Sequence, residues 1–372
     1  MKISAVTAHV LRLPNVTGAC DGTQDTCLIR IDTDAGITGW GEVDSAPTVV
    51  AAVIEAPLSH QIANGLANAL IGRDPLALDV CMAAMEQAAN YYGRTGAGSH
   101  AMAGVNLALW DINGKACDRP VYQLLGGPHQ TRFRAYCSIL FGDTPQATHD
   151  LARKHADMGF TAIKFGWGPM GQSESEDVAL VREARRGAGD NVDILVDAGQ
   201  VWDWKTALTR ARQFHDLGIF WLEEPLHPED IAGYARLSDA SPVPIAAGEA
   251  ESRYVDFERL MLDGRLDWVQ PDPGRCGLTT MVEVGRLAHR MHTRVVNHSF
   301  KSGITIAASL HGLAAVPHGE MFEFCMADSP LRHELTRERF AIDDEGYVQV
   351  PESPGLGVTV DQDIVEKYLV RK

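Results

Sequence analysis

Apolar positions fall into two patterns along the first 127 residues. The segments ISAVTAHVLRL and CLIRIDTDAGITGWGEV alternate apolar and polar positions, which is typical of β-strands, and Asp34-Ala35-Gly36 supplies a turn. Between residues 49 and 127, apolar positions recur every three or four residues, as in TVVAAVIEAPLSHQIANGLANALIG and AMAGVNLALWDINGKA, which predicts helices. We therefore expect an antiparallel sheet followed by helices, an α+β unit over residues 1–127.

From residue 131 onward, short apolar runs alternate with helical stretches. The runs are RAYCSI, TAIKFG, DILVDAG, IFWLEEP, PIAAGE, WVQPD, RVVNHS and MFEFC. Eight such strands alternating with helices predict a (β/α)₈ barrel of the TIM type, in which the strand ends on one face carry the chemistry. An open doubly wound sheet is the alternative, but no GxGxxG follows a strand and no GxxxxGK[ST] occurs.

The two patterns predict where the domains divide. We place the N-terminal α+β domain at residues 1–127 and the barrel at residues 128–345. After residue 345 the segments GYVQVP and GLGVTVD are strand-like again. We expect this tail, residues 346–372, to rejoin the first domain.

Three carboxylates end consecutive predicted strands, namely Asp197, Glu223 and Glu249. Neighbouring strands lie about 4.8 Å apart, so the three side chains can converge at one rim of the barrel. Without a cation they would repel one another and raise each other's pKa. Ligation by carboxylates alone favours Mg²⁺ over Zn²⁺, and the set therefore predicts a metal site. Ordinary rim acids paired with Lys or Arg are the alternative.

The next strands add groups suited to moving a proton. Asp272 and His298 end adjacent strands, and a carboxylate beside an imidazole holds the tautomer that a general base needs. Lys164 is expected to point inward, toward the carboxylates, as a partner for a substrate carboxylate or as a second acid/base. Trp167 and Lys301 are further candidates for substrate contact, although structural or solvated roles suit both. Glu224 should point away from Glu223 and be ion-paired.

The composition narrows the range of partners. Acidic residues outnumber basic ones by 49 to 33, a formal charge of −16, which disfavours nucleic acid and anionic membrane surfaces. An acidic small molecule would need a locally positive site. The seven cysteines are scattered, with no CxxC pair, which is typical of reduced thiols in a cytoplasmic protein. No stretch approaches the roughly 18 apolar residues that span a bilayer.

Taken together, these motifs resemble the enolase superfamily, in its mandelate racemase subgroup. The resemblance rests on the order and spacing of motifs along nearly the whole chain. They are Lys164, Asp197, Glu223-Glu224-Pro225, Gly248-Glu249, Gln270-Pro271-Asp272, His298 and Glu323, together with Gly39-Trp40-Gly41-Glu42, ALWDINGKA, Leu124-Leu125-Gly126-Gly127 and PGLGVTVD.

The resemblance implies an α+β capping domain over a (β/α)₇β barrel, in a homo-oligomer with one Mg²⁺ per subunit. Carried over by position, the metal ligands would be Asp197, Glu223 and Glu249. His298 would be the base that removes the proton beside a substrate carboxylate, oriented by Asp272, and Glu323 would hydrogen-bond the carboxylate or the resulting enediolate. Substrate specificity is expected in the loop of residues 14–26 and in the loop after Glu42.

Two departures from the family pattern bear on the reaction. Family racemases carry two lysines separated by one residue on the second barrel strand, whereas this chain reads Lys164-Phe165-Gly166. Gly199 stands where many members have Asn. Because inversion needs acid/base groups on both faces of the enediolate, the missing lysine favours dehydration of an aldonate or aldarate to a 2-keto-3-deoxy acid. The alternatives are an epimerase, racemase or cycloisomerase using Lys164, and a metal-binding barrel without turnover.

Overall fold

Three antiparallel strands open the chain in the computed structural model, which describes residues 1–371. They are β1 (Ile3–Arg12), β2 (Asp25–Thr33) and β3 (Thr38–Val43), paired in the order β1-β2-β3. A single 3-10 turn, Gly22–Gln24, precedes β2. The turn between β2 and β3 lies at residues 34–36, so the predicted antiparallel sheet is confirmed.

Five helices follow the sheet and complete the N-terminal unit. They are α1 (Pro47–Glu55), α2 (Leu66–Leu70), α3 (Leu78–Ala88), α4 (Ala97–Ala116) and α5 (Val121–Leu124). The periodicity predicts helix through residues 48–72, but the structure ends α1 at Glu55 and begins α2 only at Leu66. Pro57 explains the break, because the residue before a proline avoids helical angles, and Ala56 has φ −52° and ψ 135°.

Eight parallel strands form the barrel, and the predicted run of eight is confirmed. The strands are β4 (Arg132–Leu140), β5 (Ala162–Gly166), β6 (Asp193–Asp197), β7 (Ile219–Glu223), β8 (Ile245–Ala247), β9 (Trp268–Val269), β10 (Arg294–Val295) and β11 (Met321–Cys325). They pair in chain order, β11 pairs with β4, and a bridge between Val295 and Gly319 joins β10 to the segment before β11. The sheet therefore curls into a closed barrel.

Seven helices connect these strands, which gives the (β/α)₇β arrangement. They are α6 (Pro145–Asp157), α7 (Glu174–Ala188), α8 (Trp204–His215), α9 (Ile231–Ala240), α10 (Tyr254–Leu262), α11 (Pro273–Met291) and α12 (Gly303–Ala314). Among residues 1–371, no helix combines the length and the apolar character needed to cross a membrane.

Aromatic side chains fill the barrel interior below the polar rim. Tyr136, Trp221 and Trp268 are buried in one cluster, with Trp221 and Trp268 ring centroids 5.0 Å apart and Tyr136 set edge-on to Trp221 at 5.5 Å. The interior is therefore a packed core, as expected for this architecture, and the strand ends above it are held at fixed positions.

Glycines at alternate positions of β3 let helix α4 lie directly on the sheet. A Cβ atom on Gly39 would lie 2.2 Å from the carbonyl oxygen of Ala108, and one on Gly41 would lie 1.9 Å from that of Gly104. Real Cβ contacts are essentially never shorter than 3.0 Å. The Gly-Trp-Gly part of the motif therefore has a packing reason, and it brings the end of β3 close to the barrel.

The C-terminal tail contacts both units, which differs in part from the expectation. After α13 (Pro330–Glu334), strand β12 (Tyr347–Gln349) pairs antiparallel with barrel strand β4 and not with the N-terminal sheet. Beyond α14 (Gln362–Tyr368), Leu369 bridges to Leu11 of β1. Only the last part of the tail returns to the first sheet, and the boundary after residue 127 remains a prediction.

The GLG segment of the tail is fixed by two buried side chains from different units. Asp111 of α4 accepts a hydrogen bond from the amide of Leu356 at 3.0 Å, and His311 of α12 contacts the Leu356 carbonyl through Nε2 at 3.1 Å. The other ring nitrogen, Nδ1, accepts from the Tyr122 amide at 3.3 Å. Nε2 therefore carries the hydrogen of a neutral ring, and burial lowers the pKa of His311 from 6.5 to about 4.

This geometry predicts an acid-dependent loss of stability. As pH falls from 6.5 toward 4, His311 becomes protonated in the unfolded chain but stays neutral in the folded chain. The free energy of unfolding therefore decreases, by about 2 kcal/mol at pH 5. His311→Gln keeps one donor and one acceptor but does not titrate. We expect urea unfolding at pH 7 and pH 5 to show a smaller loss in the variant; equal losses in both proteins would contradict the assignment.

Candidate active site

Three buried carboxylates meet where β6, β7 and β8 end. Asp197 and Glu223 close β6 and β7 and are paired in the sheet register, and Glu249 follows β8 after Gly248. One oxygen from each of the three side chains lies within 4.8 Å of the others, and all three side chains are buried. The structure thus brings together the three residues that the strand spacing predicts.

The electrostatics of this cluster fit a divalent cation. Burial, and then the charge of Glu223, raise the pKa of Asp197 well above its usual range, and burial likewise raises the pKa of Glu223. The donors are all carboxylate oxygens, the ligand type of Mg²⁺. A cation at this point would remove the repulsion that otherwise opposes ionisation of the three acids.

Lys164 lies between two carboxylates from opposite parts of the rim. Its ammonium contacts Glu223 Oε1 and lies 2.6 Å from Glu323 Oε1, and the side chain is buried, as the inward orientation predicts. Glu323 also accepts hydrogen bonds from Ser138 Oγ at 2.8 Å and from the Ser299 amide at 2.6 Å. Burial raises the pKa of Glu323, but Lys164, His298 and the Ser299 amide hold it below its usual value.

His298 and Asp272 form a buried pair beside the carboxylate cluster. His298 Nδ1 lies 2.6 Å from Asp272 Oδ2, and Nε2 lies 3.4 Å from Glu249 Oε2. Asp272 is itself fixed, because it is the N-cap of α11 and its Oδ1 accepts from the Gly274 amide at 2.6 Å. The charges of Glu249 and Glu323 outweigh burial and raise the pKa of His298 to about 10.

Arg275 and Asp44 extend this cluster toward the N-terminal unit, and the strand pattern did not reveal them. Arg275 donates to the Glu249 carbonyl at 2.8 Å, and its Nη2 lies 2.9 Å from Asp44 Oδ2. Burial alone would raise the pKa of Asp44, but Arg275 and Lys301 hold it below its usual value. Arg275 lies one helical turn after the N-cap Asp272, a spacing that could have identified it.

Most of these groups line one cavity of about 410 Å³ at the barrel mouth, and Glu223 and Asp272 lie outside its lining. Its walls come from the barrel rim and from the loop before β2. The lining includes Lys164, Gly166, Trp167, Asp197, Gln200, Glu249, Arg275, His298 and Glu323 from the barrel, and Ala19, Cys20, Asp21, Gly22 and Asp44 from the N-terminal unit. The two loops in which we expect specificity both reach this cavity.

Lys301 has the surroundings of a structural residue, one of the roles expected for it, whereas those of Glu224 differ from the expectation. The Lys301 ammonium contacts the Gly22 carbonyl, the Asp25 carbonyl at 2.9 Å and Asp44 Oδ1 at 3.4 Å, and Lys301 does not line the cavity. Glu224 accepts a hydrogen bond from Gln200 at 2.5 Å and has no ion pair among residues 1–371. The prediction that Glu224 is ion-paired is therefore wrong.

Comparison with known proteins assigns the chain to a family. Residues 147–364 match the family described as enolase C-terminal domain-like, and residues 3–126 match the mandelate racemase / muconate lactonizing enzyme N-terminal domain. The chain belongs to the enolase superfamily, mandelate racemase subgroup. It is therefore an enzyme, and the (β/α)₇β barrel with its α+β unit is the fold of this superfamily.

Curated members of the superfamily align along nearly the whole chain. D-galactarolactone cycloisomerase from Agrobacterium fabrum is 31% identical to this chain, and the alignment covers 99% of this chain and 99% of the cycloisomerase. D-galactonate dehydratase from Pectobacterium atrosepticum is also 31% identical, covering 98% of this chain and 94% of its own. The two relatives differ in the reaction that their names state.

Solved structures of superfamily members superpose closely. A predicted mandelate racemase from Rhodobacter sphaeroides has a TM-score of 0.92 and 34% identity, covering 100% of this chain and 96% of its own. A racemase from Streptomyces coelicolor with bound magnesium has a TM-score of 0.85 and 29% identity, covering 99% and 100% of the two chains.

Gly166 and Gly199, the two departures from the superfamily pattern, are both in crowded positions. A Cβ atom on Gly166 would lie 2.7 Å from Asp197 Oδ2, so a side chain here would displace that carboxylate. A Cβ atom on Gly199 would lie 2.9 Å from the Trp167 ring, and Gly199 has φ +64°. The Gly199 amide donates to Asp197 Oδ1 at 2.8 Å, so the backbone supports this carboxylate.

The position of Lys164 predicts a large effect on stability. In metal-free protein, Lys164→Met leaves Glu223 and Glu323 buried without their cation, and we expect a loss of about 3 to 5 kcal/mol in the free energy of urea unfolding. Adding Glu323→Gln should recover part of that loss. Arg186→Met, which removes an exposed pair with Glu183, serves as the control and should cost about 1 kcal/mol or less. Equal losses for both lysine and arginine variants would refute the pairing.

Proposed function

We propose that this enzyme is a Mg²⁺-dependent hydro-lyase that dehydrates a sugar acid to a 2-keto-3-deoxy acid. The observation that carries the proposal is the placement of His298 Nε2 beside the carboxylate cluster in one cavity, with Nδ1 held by Asp272. A base and a carboxylate-binding cation are the two parts needed to remove a proton next to a carboxylate. The similarity to a D-galactonate dehydratase supports the same reaction class.

Asp197, Glu223 and Glu249 would hold the cation in this proposal. Bound Mg²⁺ would accept the substrate carboxylate and stabilise the negative charge that develops when the adjacent proton is removed. The close packing and raised carboxyl pKa values of the cluster support this role, as does the magnesium bound in the similar racemase structure. Lys164, whose ammonium has a third hydrogen beyond its two carboxylate contacts, would donate it to the same substrate carboxylate.

His298 would take the proton at C2 through Nε2. Asp272 accepts the hydrogen on Nδ1 and would stabilise the imidazolium once it forms. A cation held by Glu249 would offset the carboxylate charge that raises the pKa of His298, and the neutral ring would then accept the C2 proton at Nε2. Glu323, fixed by Ser138 and the Ser299 amide, would need to take up a proton to hydrogen-bond the developing enediolate oxygens, because the ionised carboxylate only accepts. The positions of both residues are set by other hydrogen bonds, so little reorganisation is needed during the proton transfer.

Dehydration can then be completed on the same face of the substrate. The protonated His298 returns its proton from Nε2 to the hydroxyl on C3, the C3–O bond breaks, and water leaves. The resulting enol becomes the 2-keto-3-deoxy acid by proton transfer to C3. Gly166 supports elimination over racemisation, because it supplies no acid/base side chain for the opposite face of the substrate, and a side chain there would shift the Asp197 carboxylate.

A cycloisomerase is the second candidate, since a D-galactarolactone cycloisomerase matches 99% of this chain. Such an enzyme could use the same proton abstraction but would give a product with the composition of its substrate. An epimerase would need Lys164 as the opposing acid/base, and its two carboxylate partners compete with that role.

We propose the cytoplasm as the compartment, because all seven cysteines are free of disulfides. The homo-oligomer implied by the family stays a prediction.

A screen of sugar acids with Mg²⁺ tests the proposed reaction. Incubation in D₂O followed by mass spectrometry should show a 2-keto acid formed from the substrate by loss of one water. This product should carry one deuterium from the solvent at C3. A product of unchanged composition would instead identify the cycloisomerase, and an epimer carrying deuterium at C2 without any keto acid would identify the epimerase.

Replacement of His298 tests the base. His298→Asn should lower kcat by about 10²–10⁴-fold, because the proton acceptor is lost while the carboxylates remain. His289→Asn, on the exposed end of α11, is the matched control and should keep full activity. Turnover by His298→Asn close to that of the unaltered enzyme would mean that another group removes the proton.

A further inference from the structure

The cations around the cavity have their charge balanced by the protein itself. Lys164 contacts Glu223 and Glu323, and Arg275 contacts Glu249 and Asp44. Of the residues that the structure describes, the lining includes no other lysine or arginine. The cavity therefore offers a cationic partner to a substrate carboxylate mainly where the proposed Mg²⁺ would bind.

Lys301, the nearest further cation, has no hydrogen left to offer. An ammonium group has three N–H donors, and those of Lys301 are directed at the Gly22 carbonyl, the Asp25 carbonyl and Asp44. These contacts tie the loop before β2 to the barrel, and Ser329 adds a hydrogen bond to the Thr23 carbonyl at 2.8 Å. Lys301 thus positions the loop and the Asp44 carboxylate rather than a substrate anion.

The N-terminal unit instead contributes two acidic side chains to the lining, Asp21 and Asp44. Asp44 is buried, and one of its oxygens lies within 4.8 Å of a ring nitrogen of His298. Asp21 is half-buried, and its Oδ1 caps the 3-10 turn by accepting from the amide and hydroxyl of Thr23 at 2.8 and 2.7 Å. Both carboxylates can accept hydrogen bonds from hydroxyl groups. The charge of Asp44 is balanced by Arg275 and Lys301, so Asp21 is the residue that would repel a substrate carboxylate.

We propose that the cavity selects a monocarboxylic sugar acid, an aldonate, and rejects the matching dicarboxylic aldarate, with Asp21 as the residue that sets this preference. The proposal rests on the proposed dehydratase function and narrows its substrate class. A terminal hydroxymethyl group finds an acceptor at the Asp21 carboxylate. A second carboxylate in its place would meet the negative charge of Asp21 and no unpaired cation.

Matched substrate pairs test this preference directly. Galactonate and galactarate, or gluconate and glucarate, share their stereocentres and differ only at the far carbon. With the Mg²⁺-loaded enzyme, we expect kcat/KM for formation of the 2-keto acid to favour the aldonate by roughly tenfold or more in each pair that reacts. The pairs should cover the available five- and six-carbon configurations.

The outcomes separate the two proposals. An aldarate that reacts as well as its aldonate, or better, would overturn the selectivity and leave the dehydratase intact. Formation of no keto acid from either class would overturn the dehydratase, and the selectivity would fall with it.

A charge-removing variant identifies the residue responsible. Asp21→Asn keeps the capping oxygen for Thr23 but loses the negative charge. The ratio of kcat/KM for the aldonate to kcat/KM for the aldarate should therefore fall by roughly threefold or more, through a lower KM for the aldarate. Asp34→Asn, in the exposed turn between β2 and β3, is the matched control and should leave the preference unchanged. An unaltered preference in Asp21→Asn would overturn the assignment.

Discussion

Repulsion among buried carboxylates is the constraint on which the rest of this structure depends. Asp197, Glu223 and Glu249 are placed together by the parallel register of three short strands, and each is buried. Burying like charges is costly unless cations compensate them. Lys164 and Arg275 supply part of that compensation from within the protein. The negative charge that they leave uncompensated suits the site to a divalent cation.

The N-terminal unit takes part in the same network of charges. Glu42, at the end of β3, accepts hydrogen bonds from Ser302 Oγ at 2.6 Å and from the Ser302 amide, and so holds the start of α12. Asp44 follows two residues later and pairs with Arg275, which in turn contacts Glu249. The wall of the cavity and the proposed metal site are therefore linked by direct contacts, and a change in one alters the electrostatics of the other.

Much of this architecture can be predicted from the local pattern of apolar and polar residues, but part of it cannot. The eight strands and the convergence of the rim carboxylates were predictable, because short apolar runs alternating with helical stretches indicate strands, and parallel strands end at one rim. Asp44 and Arg275 were missed because their pairing joins residues 231 positions apart, which sequence spacing does not reveal. Glu224 was predicted to be ion-paired, but it accepts a hydrogen bond from Gln200 at the neighbouring strand end, and a strand pattern does not distinguish an amide partner from a charged one.

Calorimetric titration of metal-free protein with Mg²⁺ tests the central claim most directly. The account predicts one Mg²⁺ per chain, with binding lost in Asp197→Asn and in Glu249→Gln, whereas Glu229→Gln, at an exposed acid outside the cavity, binds as the unaltered protein does. Failure of the unaltered protein to bind Mg²⁺, or binding that persists unchanged after replacement of Asp197 and Glu249 together, would contradict it.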